Sequence, residues 1–120
     1  MKNMQEFKFD YDKENDDLFL YSGKSNSKGS IELGNIILDY NNKKELVGVE
    51  LMGASEILKD LVNDKRESVE EVLNNLERCK ADVKTKNKIL IIKLFLVSKN
   101  KEITPTLSVP IIQKSPALSY

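Results

Sequence analysis

The feature that most constrains this 120-residue sequence is the apolar run at 89–97, Ile-Leu-Ile-Ile-Lys-Leu-Phe-Leu-Val, interrupted only by Lys93. It is about half the ~20 residues that a membrane-spanning helix needs. Its β-branched and aromatic content, closed by Ser98, Lys99, Asn100 and Lys101, marks it as a buried strand. Because it is apolar on both faces except at Lys93, a central position with cover on each side is expected. A chain of 120 residues has room for one core around such a strand, which predicts a single domain over 1–120.

The rest of the chain supplies partners for it. Phe7, Phe9 and Tyr11 alternate with Lys8 and Asp10, so a half-buried strand starts near Phe7. An acidic turn at 12–17 leads to Leu18-Phe19-Leu20-Tyr21, which completes a first hairpin, and the polar stretch 22–30 reads as a mobile loop. Beyond Ile31 and Leu33, segments 35–40 and 46–52 flank Asn41-Asn42-Lys43-Lys44-Glu45 and form a second hairpin. Ile57, Leu58, Leu61 and Val62 fall on one side of a short helix at 54–62. Ser68, followed by Val69-Glu70-Glu71, is placed to cap a second helix running to about Cys79, with the stripe Val69, Val72, Leu73 and Leu76. Both helices are expected on one sheet face. A weak strand through Val83, the run at 89–97 and a last strand at 103–112 complete the pattern. Pro105 and Pro110 place that last strand at an edge, because each lacks a ladder amide. The predicted class is α+β, a meander of hairpins in a mainly antiparallel sheet with two helices packed on it.

Three blocks carry a resemblance. They are Phe9-Asp10-Tyr11-Asp12-Lys13-Glu14-Asn15-Asp16-Asp17-Leu18-Phe19-Leu20, then Ile36-Ile37-Leu38-Asp39-Tyr40, then Leu46-Val47-Gly48-Val49-Glu50-Leu51-Met52-Gly53-Ala54-Ser55. Their order and spacing resemble the YuzE-like family, the domain of unknown function numbered 2283. The resemblance covers a module at 1–62 and leaves 63–120 as a co-folded extension. It implies a compact β-meander with a helix and carries no catalytic residues over to this chain. An antitoxin-like or partner-binding role is what the family's association with small toxin-like proteins implies.

Chemistry-bearing groups are few. Nineteen Lys and Arg balance nineteen Asp and Glu, so no global field draws the chain to nucleic acid or anionic membrane. There is no histidine, the commonest general base and metal ligand. The single cysteine, Cys79, excludes an internal disulfide and fits a reducing cytoplasm, and a helix-end position reads as a small buried hydrophobe. Arg78 and Lys80 beside it could lower its pKa. Charged residues break the amino-terminal stretch 1–9, which denies it the form of a signal peptide. The carboxylates Asp10, Asp12, Glu14, Asp16 and Asp17 invite comparison with a calcium loop, but Asn15 stands where glycine is required and Tyr21 where the closing glutamate belongs. The turn reads instead as Asp12 bonding the turn amides with the other carboxylates solvated. Asp39 and Glu50 are a candidate acid-base pair across the second hairpin, weighed against a place on the solvated sheet face. Gly23, Gly29 and Gly34 lack the spacing of a phosphate loop.

The sharpest local signal is electrostatic. Lys80, Lys84, Lys86, Lys88, Lys93, Lys99 and Lys101 face only Asp82 within residues 80–101. Lys80, Lys84, Lys86, Lys88, Lys99 and Lys101 are candidate phosphate contacts, although Phe95, the aromatic among them, reads as core. The sequence therefore predicts no catalytic, metal or cofactor site and a non-enzymatic, cytoplasmic interaction module. It binds a protein partner or itself as a homodimer, with the last strand and the tail 113–120 available for pairing. Weak nucleic-acid binding through the lysine-rich hairpin is the alternative.

Overall fold

A computed structural model describes residues 4–23 and 27–110. The amino-terminal part is a meander: β1 (Met4–Asp12), β2 (Asp17–Tyr21), β3 (Gly29–Leu33), β4 (Ile36–Tyr40) and β5 (Leu46–Met52). Two helices follow, α1 (Ala54–Val62) and α2 (Arg66–Asn74), then β6 (Leu76–Lys86), β7 (Ile89–Ser98), β8 (Glu102–Ile103) and β9 (Thr106–Pro110). The nine strands form one sheet in the order β3-β4-β5-β2-β1-β6-β7-β8, with β9 also on β7. The pairings are antiparallel throughout, so the α+β, hairpin-built class read from the sequence stands.

The strand β1 holds the two halves together by changing partner along its length. Met4 to Phe7 pair with β6, ending at Phe7↔Cys79, whereas Lys8 to Asp12 pair with β2, starting at Lys8↔Tyr21. Gln5 Nε2 also donates to the Leu46 carbonyl at 2.8 Å, tying the first half of β1 to β5.

Period-two alternation puts one side chain in two into a single core. Leu18, Leu20, Leu38, Val49 and Leu51 enter it from one half of the sheet, and Ala81, Ile92, Leu94 and Leu96 from the other. Each buried leucine or isoleucine contributes about 1.5–3 kcal/mol of transfer free energy. The helices lie on this side. Ala54, Ser55 and Leu58 of α1 and Val69, Val72 and Leu73 of α2 are buried, as the helical spacing of those residues requires. Among the described residues the opposite side carries no helix.

Several expectations are corrected. Helix α2 ends at Asn74, and Leu76 and Cys79 belong to β6, the longest strand, where the sequence pointed to a helical end and a weak strand. The reason is alternation. Cys79 and Ala81 face inward while Arg78 and Lys80 face outward, a period of two that the helical stripe through Leu73 obscures. Ser68 is not the cap; Lys65 holds that position without a side-chain bond, and Ser68 Oγ accepts from Lys101 Nζ at 2.5 Å. The run at 89–97 is covered on one side only. Leu90, Ile92, Leu94 and Leu96 are buried, but Ile89 and Lys93 are exposed and Ile91, Phe95 and Val97 half-buried. The last strand is broken at Thr104-Pro105 into β8 and β9, both at the edge of the sheet as the prolines indicate, and its end at 111–112 lies outside the described residues. Gly29 and Ser30 are strand rather than loop and open a hairpin with β4.

Candidate interaction surface

Two polar clusters are built from the residues of the three sequence blocks. The first is internal. Asp16, held at φ 55 in the left-handed region, turns its carboxylate toward the start of α1. That helix begins after Gly53, which has no side chain to cap it. Asp16 does so from a distance of 39 residues in sequence: the Ser55 amide donates to both carboxylate oxygens at 3.1 Å and Ser55 Oγ donates to Oδ2 at 2.7 Å. The Asp16 carbonyl accepts the Ala54 amide at 2.8 Å, and Tyr11 Oη donates to Oδ1 at 2.6 Å. Burial and then this bond raise the Tyr11 phenol well above its ordinary value. A carboxylate at a helix amino terminus also meets the positive end of the dipole.

Asp12 behaves as its sequence position suggests. Its Oδ1 accepts the amides of Glu14 and Asn15 at 3.1 and 3.3 Å, and Oδ2 accepts from Asn15 Nδ2 at 2.7 Å. The expectation that the other carboxylates of this turn are solvated fails at Asp16, which is consumed as a staple, and at Asp17, whose Oδ1 is closed off from solvent without a hydrogen-bond partner. Among the described residues no group of acidic or cysteine side chains is arranged to hold a metal ion.

The second cluster lies on the helix-free side of the sheet. Asp39 stands opposite Gly48 and Glu50 opposite both Ile37 and Phe19, so Asp39 and Glu50 are diagonal neighbours on adjacent strands rather than a facing pair. Asp17, opposite Met52, is diagonal to Glu50 from the other side. Asp39 Oδ1 accepts from Ser30 Oγ, and its Oδ2 lies 2.8 Å from where a Cβ on residue 48 would sit. Glycine is therefore the residue that lets this carboxylate lie flat across β5. Partial burial, a hydrogen bond with Asp17 and the charges of Asp17 and Asp39 push the Glu50 carboxyl above the usual range.

The candidate lysines are only partly brought together. Lys80, Lys84 and Lys86 alternate along the outer side of β6, and the register sets Lys80 beside Phe95 and Lys84 beside Ile91. Lys93 joins them from β7, with Nζ 5.3 Å from the Phe95 ring centre. Phe95 thus sits on the outer face, not in the core. Lys88 and Lys99 lie in the turns at opposite ends of β7, roughly 30 Å apart at 3.3 Å per residue. Lys101 is folded back toward the start of α2, where Nζ meets Ser68 Oγ and, in the connection before the helix, Asp64 Oδ2 at 2.7 Å, and holds that carboxyl below its ordinary value. Cys79 faces the core, and burial pushes its thiol up to about 12, so Arg78 and Lys80 on the other side of the strand do not activate it.

Sequence reasoning missed the aromatic content of this face. Phe19 and Tyr21 are 42% and 44% exposed, and Ile89 40%. The signal was present, since Leu18 and Leu20 take the inward positions of a period-two strand and leave the rings between them for solvent. Two clefts flank α2. One of about 510 Å³ is lined by Tyr11, Lys13, Glu67, Glu70 and Glu71 with Asn74 and Asn75, and one of about 340 Å³ lies between Glu71, Asn75 and the turn at 98–101.

Both clusters fall within residues 8–55, which match the family described as Protein of unknown function (DUF2283). An uncharacterized protein of Methanocaldococcus jannaschii is 37% identical over 98 residues, or 80% of this chain and 78% of that protein. The chain belongs to the DUF2283 family. A Methanosarcina mazei protein, provisionally named a hypoxanthine phosphoribosyltransferase, is 30% identical over 96 residues, or 78% of this chain and 72% of that protein. No solved structure matches the sequence. The DUF2283 segment holds the Asp16 staple and the Asp17–Glu50–Asp39 cluster, whereas Lys80, Lys84, Lys86 and Lys93 belong to the extension. The M. jannaschii likeness, at 98 residues, is longer than the DUF2283 segment and takes in part of that extension too. Among the described residues no helix is long and apolar enough to cross a membrane.

Proposed function

We propose that this DUF2283 protein is a non-enzymatic interaction module whose working surface is the helix-free side of its sheet. The observation that carries the reading is the exposure there of Phe19, Tyr21 and Ile89. Single exposed apolar residues are ordinary, but rings side by side on one strand, bordered by charge, are what a partner surface offers. Its partner is a protein, whether a second copy or, in an antitoxin-like role, a toxin-like protein. The test is a tagged pull-down from native cytoplasm with and without nuclease, run beside a variant carrying Phe19→Ser and Tyr21→Ser. A stoichiometric protein that survives nuclease and is lost with the variant supports the reading. Equal recovery by both chains sinks it.

A second reading is favoured by Lys80, Lys84, Lys86 and Lys93 around Phe95: contact with nucleic-acid phosphates by the extension alone. It predicts retention on single-stranded RNA or DNA that falls steeply between about 0.05 and 0.2 M salt. The larger of the two clefts does not suit the activity named for the M. mazei relative. A phosphoribosyl substrate is anionic, and the larger cleft presents Glu67, Glu70 and Glu71 to it.

A further inference from the structure

The charge on the outer face is segregated about β1. On the side of β2, β5 and β4 the register sets Glu50, Phe19 and Asp10 in one row, with Asp17 and Asp39 diagonal to Glu50. On the side of β6 and β7 it sets Lys80 beside Phe95, with Lys93 over the same ring; Asp82 stands opposite Lys93 and 4.0 Å from Lys84, and Lys84 and Lys86 continue the outward positions of β6. Each half is therefore an aromatic ring in charge of predominantly one sign, negative around Phe19 with Lys8 as the exception and positive around Phe95 with Glu6 and Asp82 as the exceptions. The two halves occupy equivalent places: β2 and β6 are the immediate neighbours of β1, and β5 and β7 are one strand further out. They are also offset along β1 in opposite directions, because its partner changes between Phe7 and Lys8.

We infer that two copies of this chain associate face to face through their outer faces, about a two-fold axis that lies between the two sheets and passes over the Phe7–Lys8 junction of β1. The axis lays the acidic row at Phe19 of one copy on the basic row at Phe95 of the other. The inference rests on the reading of this face as the working surface and names its occupant. Three observations favour a second copy over an unrelated protein. A two-fold contact needs one surface to be complementary to itself, and this face carries both signs on either side of its own midline. The chain is formally neutral, so two copies meet without net repulsion. In a molecule of 40 × 29 × 26 Å, a face of nine strands has room for the roughly 800 Å² per partner of a standard interface. Opposed rows set Glu50 on β5 of one copy against Phe95 and Lys93 on β7 of the other, and Phe19 on β2 against Lys80 on β6, so the charges supply orientation and the rings, covered between the two faces, supply affinity.

The experiment is sedimentation equilibrium of the full chain at about 100 μM after nuclease treatment, a concentration that populates any dimer with a micromolar Kd. Two charge-reversed forms are compared with it, one carrying Asp10→Lys and Glu50→Lys and the other Lys80→Glu and Lys93→Glu, each checked by far-UV circular dichroism. The wild type sediments at twice the 13.7 kDa chain mass. Each reversed form alone weakens association by at least about tenfold, because both of its rows then have the same sign. Mixed one to one, the two reversed forms recover the doubled mass, since every opposed pair is again of opposite sign; a folding defect would not be cured by mixing. A wild type that stays monomeric overturns the inference, as does a dimer indifferent to both reversals or one that disappears with nuclease. The broader reading falls separately. A monomeric wild type whose captured protein is lost with Phe19→Ser and Tyr21→Ser keeps the working surface and loses only the second copy as its occupant.

Discussion

Replacing Asp16 by alanine tests whether a distant carboxylate holds α1 onto the sheet. The change removes the acceptor for the Ser55 amide, the Ser55 hydroxyl and the Tyr11 hydroxyl. Ser55 is fully buried, so its two donors have no water to turn to, and each unsatisfied buried group costs about 1–3 kcal/mol. Tyr11 is only half-buried and recovers part of its bond from solvent. Alanine at a left-handed φ of 55 adds about 1 kcal/mol. The expected loss is therefore about 4 kcal/mol, a large part of the roughly 5–15 kcal/mol that holds a domain together. At this size it lowers Tm by about 15 °C. Asp16→Asn, which tolerates the same backbone and keeps one acceptor oxygen, should lose about half as much. Urea denaturation followed by far-UV circular dichroism gives both values, and a cycle with Ser55→Ala isolates the contact. A coupling of at least about 1 kcal/mol is expected. An Asp16→Ala loss below about 1.5 kcal/mol, or additivity of the two changes, would refute the staple.

Three further outcomes follow from the outer face and the core. Gly48→Ala pushes its Cβ to 2.8 Å from Asp39 Oδ2, so a loss of about 1 kcal/mol is expected, with Asp39→Ala in the same chain restoring most of it; no restoration would mean the strain lies elsewhere. The Glu50 carboxyl is raised above its ordinary 4.5, so its contribution to stability is complete below that pH and is lost as pH rises through the folded-state value. Glu50→Gln should therefore gain on the wild type as pH increases from about 4.5, and parallel stability curves would count against the shared environment of Glu50 and Asp17. Cys79 should react with iodoacetamide at pH 8 more than about 100-fold slower in the native chain than in urea, and equal rates would contradict its burial.

Alternation made most of the strands legible. Phe7, Phe9 and Tyr11 on β1 and Leu18 and Leu20 on β2 point inward as their spacing demands. Legibility failed where two periods overlap. The stripe Val69, Val72, Leu73 and Leu76 continues smoothly at helical spacing, yet the helix stops at Asn74 because β6 has a ten-residue partner strand in β7 and tertiary pairing outweighs local propensity. The run at 89–97 misled for a different reason: continuous apolarity looks the same whether a strand has cover on both sides or offers one side to a partner. The candidate surface was half legible. Lys80, Lys84 and Lys86 share a face because their spacing is even, but nothing local places Lys93 and Phe95 beside them or detaches Lys101 to α2. Asp16 and Ser55, 39 residues apart, carried no spacing signal.

The divided pairing of β1 also orders the assembly of the chain in time. Residues 8–12 find β2 across a short turn, a contact of small sequence separation that forms early. Residues 4–7 must wait for Cys79 to Asp82, more than seventy positions later, and loop-closure entropy defers that step. During synthesis the meander therefore leaves the ribosome with an open edge formed by the start of β1, and it keeps that edge until β6 emerges. Of its outward residues Met4 is apolar, but Glu6 and Lys8 are charged, and charge on an open strand is how natural sheets discourage edge-to-edge association between nascent chains.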